Sequence, residues 1–300
     1  MPTEQSHPAQ SDVHFTTDWL NLRFPFDEAA RNGEVEAACL RRLGNRSPLT
    51  ILDLGAGLGA NCVHLGPRIR GDQRWLLLDH DGHLPGPALA WMGERLAKAG
   101  YSAAVEGDAA TFADAGHRLQ VQYRVAPLDR LMDVVDLGGV DLVTANALLD
   151  LLNWRQVEAV AGMLADFRLP LLATINYAGM SFEPSGTADL PIVGLYEQHM
   201  TREQEGGARL GKQAVSVLED LLEHRGYRTL RKPSVWKVGP GARALQKALL
   251  DFMERALREL ELMPGMVEQW EAWLALRRAQ MEKGELHIEV RHFDLWAEPA

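Results

Sequence analysis

Thr50 to Asn61 reads TILDLGAGLGAN, an apolar run, an acidic residue and three alternating glycines in succession. An apolar strand that runs through a glycine-rich turn into a helix exposes backbone amides at the helix start. A ligand can lie against those amides, at the carboxyl end of a parallel sheet. Glycine is required there because a Cβ would block the approach.

The glycines alone leave the ligand open. Gly55, Ala56, Gly57, Leu58, Gly59 and Ala60 also fit the looser dinucleotide pattern G-x-G-x-x-G/A. Asp53, two residues before Gly55, separates the readings. Its carboxylate would repel a pyrophosphate in the same crevice and would attract a cationic ligand. S-adenosylmethionine carries an ammonium and a sulfonium and has no phosphate.

Outward from this turn, strand and helix alternate. Short apolar runs at 49–55, 74–79, 121–126, 140–146 and 169–177 read as buried strands, separated for the most part by helical stretches near 60–70, 86–99 and 154–167. Continuous hydrophobicity means strands covered on both faces, so the fold class is α/β, a mainly parallel sheet with helices on either side. Residues 178–211 are too long for a plain connection and read as an insertion over a site. Beyond it the sequence predicts a helix at about 212–225 and separate extended pieces at YRTLRK and SVWKVG. Helices follow at about 242–260 and 266–283, then an alternating, antiparallel last strand over 285–297.

The global numbers set limits. A chain of 300 residues buries roughly three quarters of its unfolded surface and needs no staple. Two cysteines, Cys39 and Cys62, cannot form a disulfide framework, and neither belongs to a zinc-ligand pair, so a reducing cytoplasm is expected. The start, MPTEQSHPAQSDVHF, lacks the pattern of a signal peptide and reads as a mobile tail. No run of 18 apolar residues occurs, which excludes a spanning helix. The net charge of −10 opposes nucleic-acid binding overall. The expected partner is a small-molecule substrate, with no nucleic acid and no membrane, for a monomer or homodimer.

With the pattern acidic-x-Gly-x-Gly-x-Gly at Asp53 through Gly59, the chain resembles the class I S-adenosylmethionine-dependent methyltransferases. The resemblance covers about residues 47–177 and implies a Rossmann-like, seven-stranded methyltransferase sheet with S-adenosylmethionine as cofactor. It implies that Gly55, Ala56, Gly57 and Gly59, with Asn61 at the helix start, lie against that cofactor. Asp79 ends a second apolar strand 20 residues after Gly59, where a carboxylate can accept from ribose hydroxyls, and His80 and Asp81 would line the adenosine pocket. Asp129 is expected to face the adenine, with Asp108 as the alternative, which makes 100–119 an insertion ahead of the third strand. Asn146, Ala147 and Leu148, at the end of the fourth strand, would lie beside the cofactor. The family subset that modifies planar amide nitrogens carries Asn/Asp-Pro-Pro-aromatic here. Asn146-Ala147-Leu148-Leu149 departs from it, and the acidic charge agrees in arguing against a nucleobase or glutamine substrate.

WLNLRFPFDEAAR (19–31), PSVWKVG (233–239) and the ending HFDLWA resemble bacterial proteins described only generically as class I methyltransferases. The organisation expected is an amino-terminal tail and helical lid segment over 1–46, in which Trp19, Arg23, Phe24 and Phe26 could form the lid. A methyltransferase domain over 47–300 would carry the insertion at 178–211. Methyl transfer to a small-molecule oxygen or nitrogen needs placement more than a base, since the sulfonium is already activated. If a base is used, His199 in the insertion is the candidate, with Tyr177 and Tyr196 to orient the substrate. DHDGH (79–83) reads as nucleoside pocket and turn, and no metal is expected. An NAD(P)-dependent oxidoreductase and a methyltransferase-like binding protein without activity stand as the alternatives.

Overall fold

The computed structural model describes residues 16–203 and 206–300, so the expected tail over 1–15 lies outside the described residues. The chain begins with helices α1 (Thr17–Ala30) and α2 (Gly33–Leu43), then β1 (Leu49–Leu54), α3 (Ala60–Leu65), β2 (Gln73–Asp79) and α4 (Pro85–Lys98). A hairpin, β3 (Ser102–Glu106) and β4 (Ala109–Ala113), leads into β5 (Arg118–Val125), the short α5 (Leu131–Val134), β6 (Leu142–Asn146) and α6 (Trp154–Asp166). The remainder is β7 (Leu171–Glu183), α7 (Asp189–Met200), α8 (Ala214–Glu223), β8 (Tyr227–Val238), α9 (Arg243–Arg258), α10 (Pro264–Lys283) and β9 (His287–Pro299).

One sheet carries all these strands in the order β3-β4-β5-β2-β1-β6-β7-β9-β8. β5, β2, β1, β6 and β7 run parallel, while β9 is antiparallel to both β7 and β8. The fold is therefore α/β and Rossmann-like, and the sheet has nine strands where seven were expected. The two added strands are the hairpin, read from sequence only as an insertion. All five residues of β3 are exposed, so no burial periodicity marks it.

The parallel strands alternate between two cores. Leu49 and Ile51 of β1 join Val35, Cys39, Leu65 and Leu89 on one face; Leu52 and Leu54 join Val157, Leu164 and Leu218 on the other. A third apolar cluster lies beyond the parallel strand ends, where α1, α7, α9 and α10 cover the upper part of β7 and the antiparallel pair β8 and β9. Two expectations shift here. β7 continues to Glu183, so the first residues of the supposed insertion extend the sheet. The pieces at 227–232 and 234–239 form one strand through Pro233, tolerated because β8 is the sheet's edge and a proline there costs no ladder bond on its open side.

β7 bends where it passes β9. Its register slips between Ala173 and Asn176, and Ile175 takes a left-handed backbone with φ 56°. A β-branched residue resists that conformation, and buried Asp294 holds it. One carboxylate oxygen accepts from the Ile175 amide at 2.8 Å and the Ser234 hydroxyl at 2.6 Å, and the other accepts from the Asn32 amide at 2.7 Å. Burial pushes the Asp294 carboxyl up from its ordinary pKa, opposed by these donors. Removing the carboxylate strands buried amides, each worth about 1–3 kcal/mol. Asp294→Ala is expected to lower Tm by on the order of 5–10 °C. A thermal melt unchanged to within about 2 °C would assign the bend to the β7 sequence alone.

Candidate functional site

β1 lies between β2 and β6, where the chain winds away in both directions and leaves a crevice at the carboxyl ends. The glycine turn rises there. Gly55 and Gly59 have φ of 59° and 81°, and a Cβ would stand 2.7 Å from Leu148 Cδ1 at the first and 2.5 Å from Met92 Sδ at the second. The turn is closed against the second strand. The Ala56 amide donates to the Leu78 carbonyl at 3.0 Å, the Gly57 amide to Asp79 Oδ2 at 2.9 Å, and the Tyr123 hydroxyl to the Gly57 carbonyl at 2.8 Å. Asp79 Oδ1 accepts from the Asp81 amide at 3.1 Å, with His80 Nδ1 at 3.3 Å. Asp79 is thus oriented at the crevice, and each of its oxygens can take a further donor.

Asp53 lies deeper. It is buried, and its Oδ1 accepts from Asn61 Nδ2 and from Thr144 Oγ1, both at 2.7 Å. Burial pushes its carboxyl up to about 6, against those two donors and the nearby Arg31 guanidinium, with Asp79 adding to the rise. Arg31 at the C-cap of α1 was not singled out from sequence. Its Nη2 donates to Asn61 Oδ1 at 2.8 Å and lies 3.5 Å from Asn146 Oδ1; Nε has Glu28 at 3.8 Å. Nε and Nη1 are buried without a hydrogen-bond partner among the described residues. The only sequence signal was its place at the end of the amino-terminal run. Asn146, ending β6, also accepts from Thr174 Oγ1 at 2.9 Å and donates to Asp27 Oδ2 at 3.1 Å.

α1 lies over this site. Leu20 sits against Gly57, Trp91 Nε1 donates to Asn21 at 3.2 Å, and Phe24 meets Trp91 edge-on at 4.8 Å with the Arg95 guanidinium over both rings. Trp19 and Phe26 pack on Trp236 at 6.3 and 6.4 Å. His64 of α3 ties both helices down, Nδ1 to Glu28 of α1 and Nε2 to Glu36 of α2 at 2.6 Å.

The remaining candidates fall into separate places. Ala147, with φ 52°, and Leu148 follow Asn146 beside the turn. Asp129 is exposed in the loop after β5, which adjoins β2 at the Val125–Asp79 pairing; Asp108 is exposed at the β3–β4 turn, its carbonyl accepting from the Tyr123 amide at 2.8 Å. Tyr177 and Tyr196 meet edge-on at 6.5 Å, and the Tyr177 hydroxyl donates to Glu197 at 3.3 Å. Burial raises both phenols, Tyr196 to about 12, so both are protonated at neutral pH. His199 ends α7 with its Nε2 3.0 Å from Glu259, at the end of α9. Burial and Arg202 lower its pKa, opposed by Glu259. Its contacts are with that helix end and not with the glycine turn. Among the described residues, no three His, Cys, Asp or Glu side chains are grouped to hold a metal, and no helix is long and apolar enough to cross a membrane.

No protein-family model and no curated protein matches the chain. Solved structures of methyltransferases do resemble it. Phosphoethanolamine N-methyltransferase 2 of Haemonchus contortus, solved with phosphomonomethylethanolamine and S-adenosylhomocysteine, is 12% identical with a TM-score of 0.43, over 95% of this chain and 58% of that one. Geranyl diphosphate C-methyltransferase of Streptomyces coelicolor, solved with S-adenosylhomocysteine, is 11% identical with a TM-score of 0.40, over 89% and 77%. Precorrin-6y C5,15-methyltransferase of Geobacter metallireducens is 11% identical with a TM-score of 0.41, over 89% and 87%.

Asp53 gives the site a pH signature. Its folded pKa lies near 6 and its unfolded value near 4, so folding takes up a proton between the two. Ionised Asp53 therefore costs stability above pH 6, roughly 3 kcal/mol by the size of the shift, and the cost fades as pH falls toward 4. Asp53→Asn removes the titration. The Tm of this variant relative to wild type is expected to rise as pH goes from about 4.5 to 7 and then to level off. A difference constant across that range would refute the shift.

Proposed function

We propose that the protein binds S-adenosylmethionine at the Gly55–Gly59 turn and transfers its methyl group to an oxygen or nitrogen of a small molecule. The observation that carries this reading is the buried pairing of Asp53 and Arg31 through Asn61, next to the turn. A carboxylate and a guanidinium with unpartnered N–H groups, set side by side, complement a zwitterion. The amino acid end of the cofactor is one, its ammonium matched to Asp53 and its carboxylate to Arg31. A pyrophosphate offers Asp53 nothing.

In this reading Asp79 takes the ribose hydroxyls, His80 and Asp81 line the adenosine, Asp129 faces the adenine, and Asn146, Ala147 and Leu148 form the floor. Residues 16–46 act as the lid on a catalytic body over 47–300, and 184–211 closes the far side of the chamber. When bound, the cofactor supplies an activated methyl group. The chain's own task is to hold donor and acceptor in line and to keep water out, which removes the entropy of their encounter. Cys39 and Cys62 are both free and buried, which suits a reducing cytoplasm.

Calorimetry with S-adenosylhomocysteine tests the reading. Wild type is expected to bind it and not NAD. Asp79→Ala and Arg31→Leu are each expected to weaken binding about tenfold or more, as the loss of charge-assisted hydrogen bonds of roughly 1.5–3 kcal/mol requires. Because the ligand's ammonium favours ionised Asp53, affinity should rise from about pH 5 to 7. Binding of NAD in preference to S-adenosylhomocysteine would replace this function with the oxidoreductase.

A further inference from the structure

We infer that the methyl acceptor sits under α1, in the seam where Trp19 and Arg23 meet Trp236 and His292, and is a small flat molecule bearing an aromatic hydroxyl, a reading that rests on the methyl-transfer function proposed above. His292 of β9 stands opposite Tyr177 of β7 and Ser234 of β8. Tyr177 is three residues beyond Thr174, the partner of Asn146, so His292 lies just past the carboxyl ends that form the donor's floor. Asp27 joins the two places. Its Oδ2 accepts from Asn146 Nδ2 and its Oδ1 from Trp236 Nε1, both at 3.1 Å.

The chemistry of the seam specifies its occupant. The His292 ring is 4% exposed and tilts on Trp236 at 4.8 Å, and His292 pairs with Ser234 across the β8–β9 ladder. Burial and the Arg23 guanidinium push its pKa down to about 3, so the ring is neutral. A neutral imidazole carries its proton on one nitrogen and a lone pair on the other, and in this proposal the proton is on Nε2 and the lone pair on Nδ1. Nδ1 is buried and has no partner among the described residues. Trp19 Nε1, on a second ring packed against Trp236, is a buried donor in the same condition. In the proposal Trp19 Nε1 donates and His292 Nδ1 accepts, and one hydroxyl satisfies both. Its walls are the indoles of Trp19 and Trp236, Phe26, and the Arg23 guanidinium 5.5 Å over Trp236. Such walls take an aromatic ring edge-on or stacked.

In the transfer, the acceptor oxygen forms the new C–O bond, the C–S bond breaks with its electron pair left on sulfur, and the hydroxyl proton passes to His292 Nδ1. A weak base suffices because the hydroxyl's acidity rises steeply as its oxygen takes the methyl group. His199 stands elsewhere, at the end of α7 against Glu259 at the end of α9.

The probe is 4-nitrophenol, titrated calorimetrically with and without saturating S-adenosylhomocysteine, against nitrobenzene as the analogue without a hydroxyl. Wild type is expected to bind 4-nitrophenol about tenfold or more tightly than nitrobenzene. His292→Phe, which keeps the flat ring, should erase that preference. His292→Asn, whose amide oxygen can replace the Nδ1 lone pair, should restore it to within about threefold. Affinity for S-adenosylhomocysteine should stay within about twofold in both variants, which also shows that they fold. Equal binding of the two probes by wild type, no binding of 4-nitrophenol, or an undiminished preference in His292→Phe would overturn the proposal. A wild type that binds 4-nitrophenol as described but not S-adenosylhomocysteine would overturn the donor reading and leave the seam a phenol site.

Discussion

Asp27 is a buried carboxylate that takes donors from three elements: Arg23 of its own helix, Asn146 at the end of β6 and Trp236 of β8. A charge in that position is costly unless every donor is present. The seating of α1 is therefore conditional on the sheet beneath it. When β6 and β8 are in register, the helix has one place to sit, with Leu20 over the glycine turn and Arg31 beside Asn61. The aromatic contacts at Trp91 and Trp236 add area, but they would tolerate sliding; the carboxylate fixes the register.

The same rim holds two of the three left-handed non-glycine residues among the described residues, the third being Arg168 before β7. Ala147 and Ile175 both adopt left-handed conformations without being glycine, and they are neighbours across the sheet, since the Ala147 amide donates to the Thr174 carbonyl. Each costs on the order of 1–2 kcal/mol. Asp294 and Asn176 hold the bend on one side, the latter accepting from the Leu149 amide at 3.3 Å and donating to the Phe293 carbonyl at 3.2 Å. The bend changes what the strand presents, as register slips do. It carries Tyr177 into pairing with His292, three residues beyond Thr174, the partner of Asn146.

What the sequence disclosed was what local patterning encodes. The parallel strands announce themselves because burial on two faces leaves an unbroken apolar run, and the turn because only glycine meets Leu148 and Met92 without a clash. The places of Asp53 and Asp79 at the strand ends beside that turn were legible from their spacing to it, and that of Asn146 from the end of the fourth apolar run. Strands β3 and β4 were not, since β3 is exposed along its whole length and β4 buries only Ala110 and Phe112, too short an alternation to read. Arg31 and His292 escaped for a different reason. Their surroundings are set by partners 30 and 115 residues away in one case, and by a three-strand register in the other. A histidine on an alternating strand looks the same whether its neighbour is water or Trp236.

On the proposed reading, the position of Arg31 would couple ligand binding to the seating of α1. It caps the helix that covers the turn, and it reaches the floor only while α1 is seated. On the proposed reading, a carboxylate bound there would satisfy N–H groups that the closed chain alone leaves unpaired, so closure with ligand is favoured over closure without it. The proposed acceptor seam would be built from the same helix, at Trp19 and Arg23, and would exist only in that seated state. Donor binding would then complete the acceptor site, giving an order of addition set by one helix. An acceptor arriving first would meet Trp236 and His292 without the opposing wall, and a group that supplies half of a site contributes little until the other half is in place.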